Sequence, residues 1–422
     1  MFYQMRKISL NNWILIGLIL GILTGIFLNL FVDNCFFKDF LINNVFNMGG
    51  NLFISLMKTM VVPLVFCSIV VSLSSITDMN KLKTIGGRTL LLYIGTFFIA
   101  ITMAFIICVT IKPGVGLNMP IATQTSSIMS NQTITYLFID MIPENFVSAL
   151  NNGNILQVII FGIMISYVFL KLGDETSHLQ KLFKDLDYLT ITATKILMKI
   201  APIGIFFLMA YTFGTFGFES FIFLTKLLIC IFIGLSIMNF VVYPLMLIIF
   251  TRINPLIFIK QYLPVMMFAF SSDSSNITIP LSLDKLEKMG VANEVASFTV
   301  PLGATIHKNG HVIAFTIITL FTAQANGIAL DISPILTIIV TIFIMANVAT
   351  PSVPLGGIFS LNIIFTSIGF PLNILELITG MYNLIDMYDT VVNVTGDAIC
   401  TIIVAFKDKS FDINAYNRKK EH

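Results

Sequence analysis

The chain is 422 residues long, 56% hydrophobic and only 11% charged, with a formal net charge of +2 and a mean hydropathy of +0.92. A soluble domain carries about a quarter of its residues as charges, so this balance excludes a soluble globular class and predicts an all-α polytopic membrane protein. The small net charge, with no basic run outside membrane-flanking loops, excludes a nucleic-acid partner.

Taken in order, Arg6 and Lys7 precede an apolar run that outlasts a signal peptide and lacks a small-residue cleavage site. It is read as a retained first span over residues 13–32, with Trp13 at the interface. A second span covers residues 49–76, carrying Lys58 and Pro63, and is followed at once by Lys81, Lys83 and Arg88. A third covers 89–111 and leads into a polar stretch, 112–135, with almost no positive charge. Under the positive-inside rule the N-terminus and the Lys81 loop are cytoplasmic and that polar stretch is external. A fourth apolar segment, 155–172, returns to a basic region with Lys181, Lys184, Lys195 and Lys199; fifth and sixth spans follow at 196–213 and 224–250. The tail with Lys407, Lys409, Arg418, Lys419 and Lys420 places the C-terminus in the cytoplasm as well. Cys35, Cys67, Cys108, Cys230 and Cys400 lack paired spacing and read as small core residues rather than a disulfide or metal set.

Beyond Arg252 a simple span count fails. Residues 255–270 are apolar, break into FSSDSSNITIP, ending at Pro280, and resume as the amphipathic LDKLEKMG. Residues 335–346 are likewise apolar, NVATPSVPLGG interrupts them, and 358–370 resume. Each half is too short to span alone, which predicts two re-entrant hairpins whose irregular tips lie against protein or a water-filled cavity. Paired interrupted segments are the sequence pointer to a transporter's substrate site, and half-helix N-termini offer free N–H groups to a carboxylate. Between the hairpins, TVPLGATIHKNGHVIAFTIITLF places His307, Lys308, Asn309 and His311 inside an apolar helix. The i, i+4 histidines lack the glutamate of a zinc-peptidase motif.

The last span, NLIDMYDTVVNVTGDAICTIIVA over 383–405, holds three carboxylates. Asp386, Thr390, Asn393 and Asp397 follow i, i+4, i+7, i+11 and so share one helical face, with Asp389 at its border. A charge at mid-bilayer costs roughly 2.5–3.5 kcal/mol on insertion scales, so the stripe is expected to bind something small in the protein interior.

With SSDSSNITIP, VPLGATI, VPLGG and DMYDTVVNVTGD in this order and spacing, the chain resembles the dicarboxylate/amino acid:cation symporter family, the glutamate transporter homologues. The resemblance covers nearly the whole chain. It implies eight transmembrane helices plus two re-entrant hairpins, a homotrimer in the inner membrane of a bacterium, and a core that moves as an elevator. The corresponding division is scaffold helices in 1–88, a third helix and external loop in 89–135, helices four to six in 136–250, a transport core in 251–406 and a cytoplasmic tail in 407–422. It further implies that Asp386 binds a substrate amino group and Asn393 a carboxylate, beside Thr390 and the side-chain-contact position His311. Backbone at Ser274, Ser275, Val353 and Gly357 would close over the ligand. Gly303, Asn393 and Asp397 match a family sodium site, Thr305 with the second tip matches another, and Tyr93 and Thr96 match part of a third. No cofactor is implied beyond Na+ or H+ as coupling ions.

The departures concern specificity and coupling. Acidic-substrate members carry arginine where this chain has Asp389, and many carry arginine where it has Asp273. Like charges at ~4 Å cost on the order of 4 kcal/mol at an effective dielectric near 20, which disfavours an acidic side chain and favours a neutral or cationic amino acid. The family's Asn-Met-Asp-Gly-Thr is here His307, Lys308, Asn309, Gly310 and His311. The expectation is that Lys308 substitutes electrostatically for a sodium ion and that His307 or His311 carries a proton; sodium held by Asp397 and backbone carbonyls is the alternative. Three other readings compete: a sodium-coupled acidic amino acid or dicarboxylate symporter, an uncoupled exchanger or substrate-gated anion channel, and a membrane enzyme. The last is disfavoured, since Asp386 and Asp397 are eleven residues apart, about 16 Å along a helix.

Overall fold

A computed structural model describes residues 10–31, 38, 40–74, 85–116, 142–152, 155–216, 219–328, 332–350 and 356–417. These residues are almost entirely helical, with one isolated β-bridge between Val291 and Phe411. The first half contains α1 (Leu10–Phe31), α2 (Asn47–Ser74), α3 (Gly87–Ile111), the short α4 (Phe146–Asn152), α5 (Ile155–Leu172), α6 (Ser177–Met198) and α7 (Ala201–Phe216). Next come α8 (Glu219–Ile237) and α9 (Tyr243–Thr251), joined by a π-helical turn at Met238–Val242 into one long rod. The second half contains α10 (Pro255–Ser272), α11 (Ser275–Lys288), α12 (Asn293–Ile306), α13 (Asn309–Ala325), α14 (Ile332–Ile344), α15 (Gly356–Ile368), the 35-residue α16 (Asn373–Lys407) and α17 (Ile413–Asn417).

Two expected boundaries shift. Residues 196–213 are not one span: the basic region folds as α6, and the chain turns at Lys199 and Ile200 before α7 begins. Proline at the second position of α7, Pro202, suits a helix start, where its missing N–H costs nothing. The helix α6 is amphipathic rather than uniformly apolar, with Leu179, Lys181, Leu182 and Lys184 exposed. The first polar interruption is also shorter than FSSDSSNITIP. Helix resumes at Ser275, so only Asp273 and Ser274 lie between α10 and α11, and Pro280 sits inside α11.

Small residues set the packing of the first half. Gly17, Gly21 and Gly25 recur every four residues along the face of α1 that meets α7. A Cβ on Gly21 would lie 2.6 Å from the Phe206 carbonyl oxygen, and one on Gly25 would lie 2.7 Å from Phe213 Cβ. In lipid, where apolar side chains gain nothing by leaving the solvent, such close approach is what holds helices together. Gly21→Leu is expected to cost about 1–3 kcal/mol through overpacking and to lower the thermal midpoint of the detergent-solubilised protein. An unchanged midpoint would show that this approach contributes nothing.

The second half is arranged around α16. Among the described residues three helices are long and apolar enough to cross a membrane, and 94% of the apolar window of Met381–Lys407 is buried, against 39% for Gly87–Ile111 and 44% for Ile222–Thr251. The outer two thus present apolar faces outward, including Leu91, Phe98, Ile106 and Val109 on α3. By contrast α16 is enclosed by α7 to α13 and α15. A helix so enclosed can carry polar groups, because its neighbours rather than lipid meet them.

Candidate functional site

Asp397, Asn393 and Thr390 on α16 are each met at a break in a neighbouring helix. Between α12 and α13 the chain unwinds at His307 (φ −122°, ψ 82°) and Lys308 (φ −116°, ψ 57°). Unwinding exposes N–H groups that the regular ladder would satisfy, and two asparagines cap them. Lys308 N–H donates to Asn347 Oδ1 at 3.2 Å, and Gly310 N–H donates to Asn393 Oδ1 at 2.7 Å. The break therefore fixes the adjacent imidazole rings against α16.

One polar cluster surrounds Asp397. His307 Nδ1 lies 2.8 Å from Asp397 Oδ1, and His307 Nε2 lies 2.9 Å from both Thr96 Oγ1 and the Asn309 amide nitrogen. The Asn309 amide also donates to Tyr243 Oη at 3.2 Å. Tyr93 stacks on the His307 ring, centroids 4.0 Å apart and planes 8° from parallel, and its hydroxyl donates to the Thr299 carbonyl at 3.0 Å. Because the Thr96 hydroxyl also donates to the Tyr93 carbonyl at 2.9 Å, its oxygen is left to accept at His307. His307, Asn309 and Asp397 are all buried.

A second cluster lies further toward the N-terminus of α16, facing the α10–α11 tip. His311 Nδ1 is 3.4 Å from Asp389 Oδ1 and 3.1 Å from the Asn393 amide nitrogen, while its Nε2 is 3.5 Å from Asp386 Oδ1. Asp273 occupies the tip in the left-handed region (φ 50°, ψ 39°), and Thr390 Oγ1 donates to its Oδ1 at 3.4 Å. Ser274 and Ser275 are buried beside it. Lys308, 2% exposed, stands within electrostatic range of Asp389, Asp386 and Asp397. No hydrogen bond reaches either Asp389 oxygen or Asp273 Oδ2 among the described residues.

Four glycines make these contacts possible. A Cβ on Gly303 would lie 2.6 Å from Tyr93 Oη and run into Asp397, and one on Gly310 would lie 2.5 Å from Asp389 Cβ. On Gly396 it would lie 2.8 Å from His307 Cε1, and on Gly357 2.6 Å from Tyr382 Cζ.

Of the residues singled out from sequence, Tyr93, Thr96, Gly303, His307, Asn309 and Asp397 come together in one cluster, and Asp386, Asp389, Asn393 and His311 in the other, with Thr390 at the α10–α11 tip. Thr305 does not join them: it is half-buried, and its hydroxyl donates to the Pro301 carbonyl at 3.0 Å. Val353 lies outside the described residues, whereas Gly357, the second residue of α15, packs against Tyr382. Sequence reasoning missed Tyr243, Asn347 and Tyr382. The last had a signal, since Tyr382 precedes Asp386 by four residues and extends the polar stripe by one turn.

The model of the sodium:dicarboxylate symporter family matches residues 10–406. The chain is 29% identical over 409 residues to a proton/sodium-glutamate symport protein of Bacillus caldotenax, covering 95% of each chain. It is 28% identical over 420 residues to a proton/glutamate-aspartate symporter of Escherichia coli, covering 96% of this chain and 94% of that one. A C4-dicarboxylate transport protein of Acinetobacter baylyi is 29% identical over 414 residues, covering 94% and 91%.

Proposed function

Since the chain belongs to the sodium:dicarboxylate symporter family, and is therefore a cation-coupled membrane transporter rather than an enzyme, we propose that it imports a small amino acid whose side chain is neutral or cationic. The observation that carries this is the pair Asp273 and Asp389 beside Asp386. Three buried carboxylates face the space where a substrate's side chain would lie, with Lys308 as the nearby buried cation. Asp386 would take the substrate ammonium and Asn393 its carboxylate, beside the α10–α11 tip. Ionised carboxylates favour an ammonium in this role, and charge-assisted hydrogen bonds make the preference steep.

For coupling, we infer a proton carried on His307. The Asp397 carboxylate only accepts hydrogen bonds, so the ring nitrogen facing it at 2.8 Å carries hydrogen. The other nitrogen meets the Thr96 oxygen, whose own hydrogen is committed to Tyr93. A second proton on the ring would have the Thr96 oxygen as its acceptor, once the Asn309 amide nitrogen, which lies 2.9 Å from the same ring nitrogen, turns away. Lys308, when protonated, would supply positive charge within electrostatic range of both clusters. The wider reading is the family's: eight membrane helices, two re-entrant hairpins formed by α10–α11 and α14–α15, a homotrimer in a bacterial inner membrane with both termini cytoplasmic, and an elevator-like moving core. The named activities of the relatives favour a second reading, uptake of glutamate, aspartate or a C4-dicarboxylate, driven by protons or sodium where their names give the ion.

Uptake of labelled lysine, serine and aspartate into proteoliposomes, under an imposed sodium or pH gradient, separates the two. Lysine or serine driven by the pH gradient alone is the expected result. Aspartate driven by sodium would overturn it, and substrate exchange without accumulation would identify an uncoupled exchanger.

A further inference from the structure

His311, Asp386 and Asp389 each place one ligand-type atom within 4.8 Å of the others, and all three residues are buried. We propose that this trio is a binding site for a divalent first-row transition ion of the zinc class, and that the ion competes with the amino acid for the pocket. The location of the competition rests on the substrate reading above; the ion site itself does not.

Three observations carry it. The first is donor chemistry: imidazole nitrogen with carboxylate oxygen suits Zn2+, Co2+ or Mn2+, whereas Mg2+ and Ca2+ prefer oxygen alone. The second is spacing. Bonds of ~2.0–2.1 Å in a tetrahedral site put neighbouring ligands about 3.3 Å apart; His311 Nδ1 lies at that spacing from Asp389, 3.4 Å away, while Nε2 lies 3.5 Å from Asp386, and one ligand atom from each of the three residues falls within 4.8 Å of the others. Each ring nitrogen faces its own carboxylate. The Asn393 amide nitrogen, a donor, lies 3.1 Å from Nδ1, which leaves that nitrogen as the lone pair. An ion on Nδ1 replaces the Asn393 contact and leaves the proton on Nε2, facing Asp386, the carboxylate partner that orients a metal-bound histidine.

The third observation is unmet polarity. Asp389 is 0% exposed, yet neither carboxylate oxygen accepts a hydrogen bond among the described residues, and Asp273 Oδ2 and Tyr382 Oη are buried in the same condition. A buried carboxylate without a partner is costly, so such a group calls for a ligand.

The test is cobalt titration of the purified full-length protein in detergent, followed by visible absorption. The expected result is one Co2+ per chain with a ligand-field band of nitrogen and oxygen coordination, displaced by Zn2+ and lost in both His311→Ala and Asp389→Asn. Both variants are checked by size exclusion against wild type. Zinc is then expected to inhibit amino acid uptake at the concentrations that displace cobalt. No stoichiometric band in the wild type, or an unchanged band in His311→Ala, overturns the site. Cobalt binding that is intact while lysine and serine are not transported would refute the substrate reading and leave the metal site standing.

Discussion

Asp389→Arg is expected to exchange the transporter's preference, abolishing uptake of cationic amino acids and opening the pocket to aspartate. Asp389 lies on the helix face that also carries Asp386 and Asn393, with its Cβ packed where Gly310 has only hydrogen. In the wild type an acidic side chain there would meet a like charge, at a cost on the order of 4 kcal/mol for ~4 Å and an effective dielectric near 20. An arginine reverses the sign and adds a planar fork that pairs a carboxylate through two hydrogen bonds. At about 1.4 kcal/mol per factor of ten, the change in preference between lysine and aspartate should exceed 100-fold. Competition between labelled lysine and aspartate in proteoliposomes measures it. Asp389→Asn, nearly isosteric, is the control for space: it is expected to weaken lysine uptake without admitting aspartate, because Asp273 and Asp386 still repel. Unchanged lysine transport in Asp389→Asn would mean that this carboxylate does not face the substrate.

The parts of this site that the sequence discloses are the local ones. Asp386, Thr390, Asn393 and Asp397 share a face because helical period alone dictates it, and the break at His307 and Lys308 shows as polar groups inside an apolar run. What sequence cannot disclose is which break meets which stripe. Tyr243 reaches Asn309 from 66 positions away, and Asn347 caps Lys308 from 39 positions away; no local pattern encodes such pairings. The length of the first tip was also hidden, because Ser, Asn and Thr are as welcome in the first turn of α11 as in a loop. Hydropathy passed over α6 for a similar reason: it looks for uniform apolarity, and an amphipathic helix against α2 lacks it. Glycine spacing held more information than composition suggests. Gly303, Gly310, Gly357 and Gly396 each sit where a methyl group would strike a site side chain.

His307→Asn is expected to remove pH-driven accumulation while leaving substrate exchange measurable. An inward gradient of one pH unit supplies about 1.4 kcal/mol per proton, so a transporter moving one proton per substrate accumulates about tenfold. If His307 bears that proton, the asparagine variant equilibrates its substrate and accumulates none under the same gradient. Asparagine also returns an amide oxygen to the cluster of Asp397, Thr96 and Tyr93, so a sodium gradient is expected to drive uptake in the variant. Removing one partner of a buried charged pair costs about 3–5 kcal/mol, and Asp397 would be left facing Tyr93 without its imidazole. The double variant His307→Asn with Asp397→Asn separates fold from coupling: it leaves no buried charge in the cluster, and it should bind and exchange substrate without responding to either gradient. Lys308→Met is the companion test for fixed charge, expected to strengthen sodium dependence by removing the ammonium between the two clusters. Retained pH-driven accumulation in His307→Asn would transfer the proton to His311 or to the carboxylates around it; unchanged sodium and pH dependence in Lys308→Met would show that its charge substitutes for no ion.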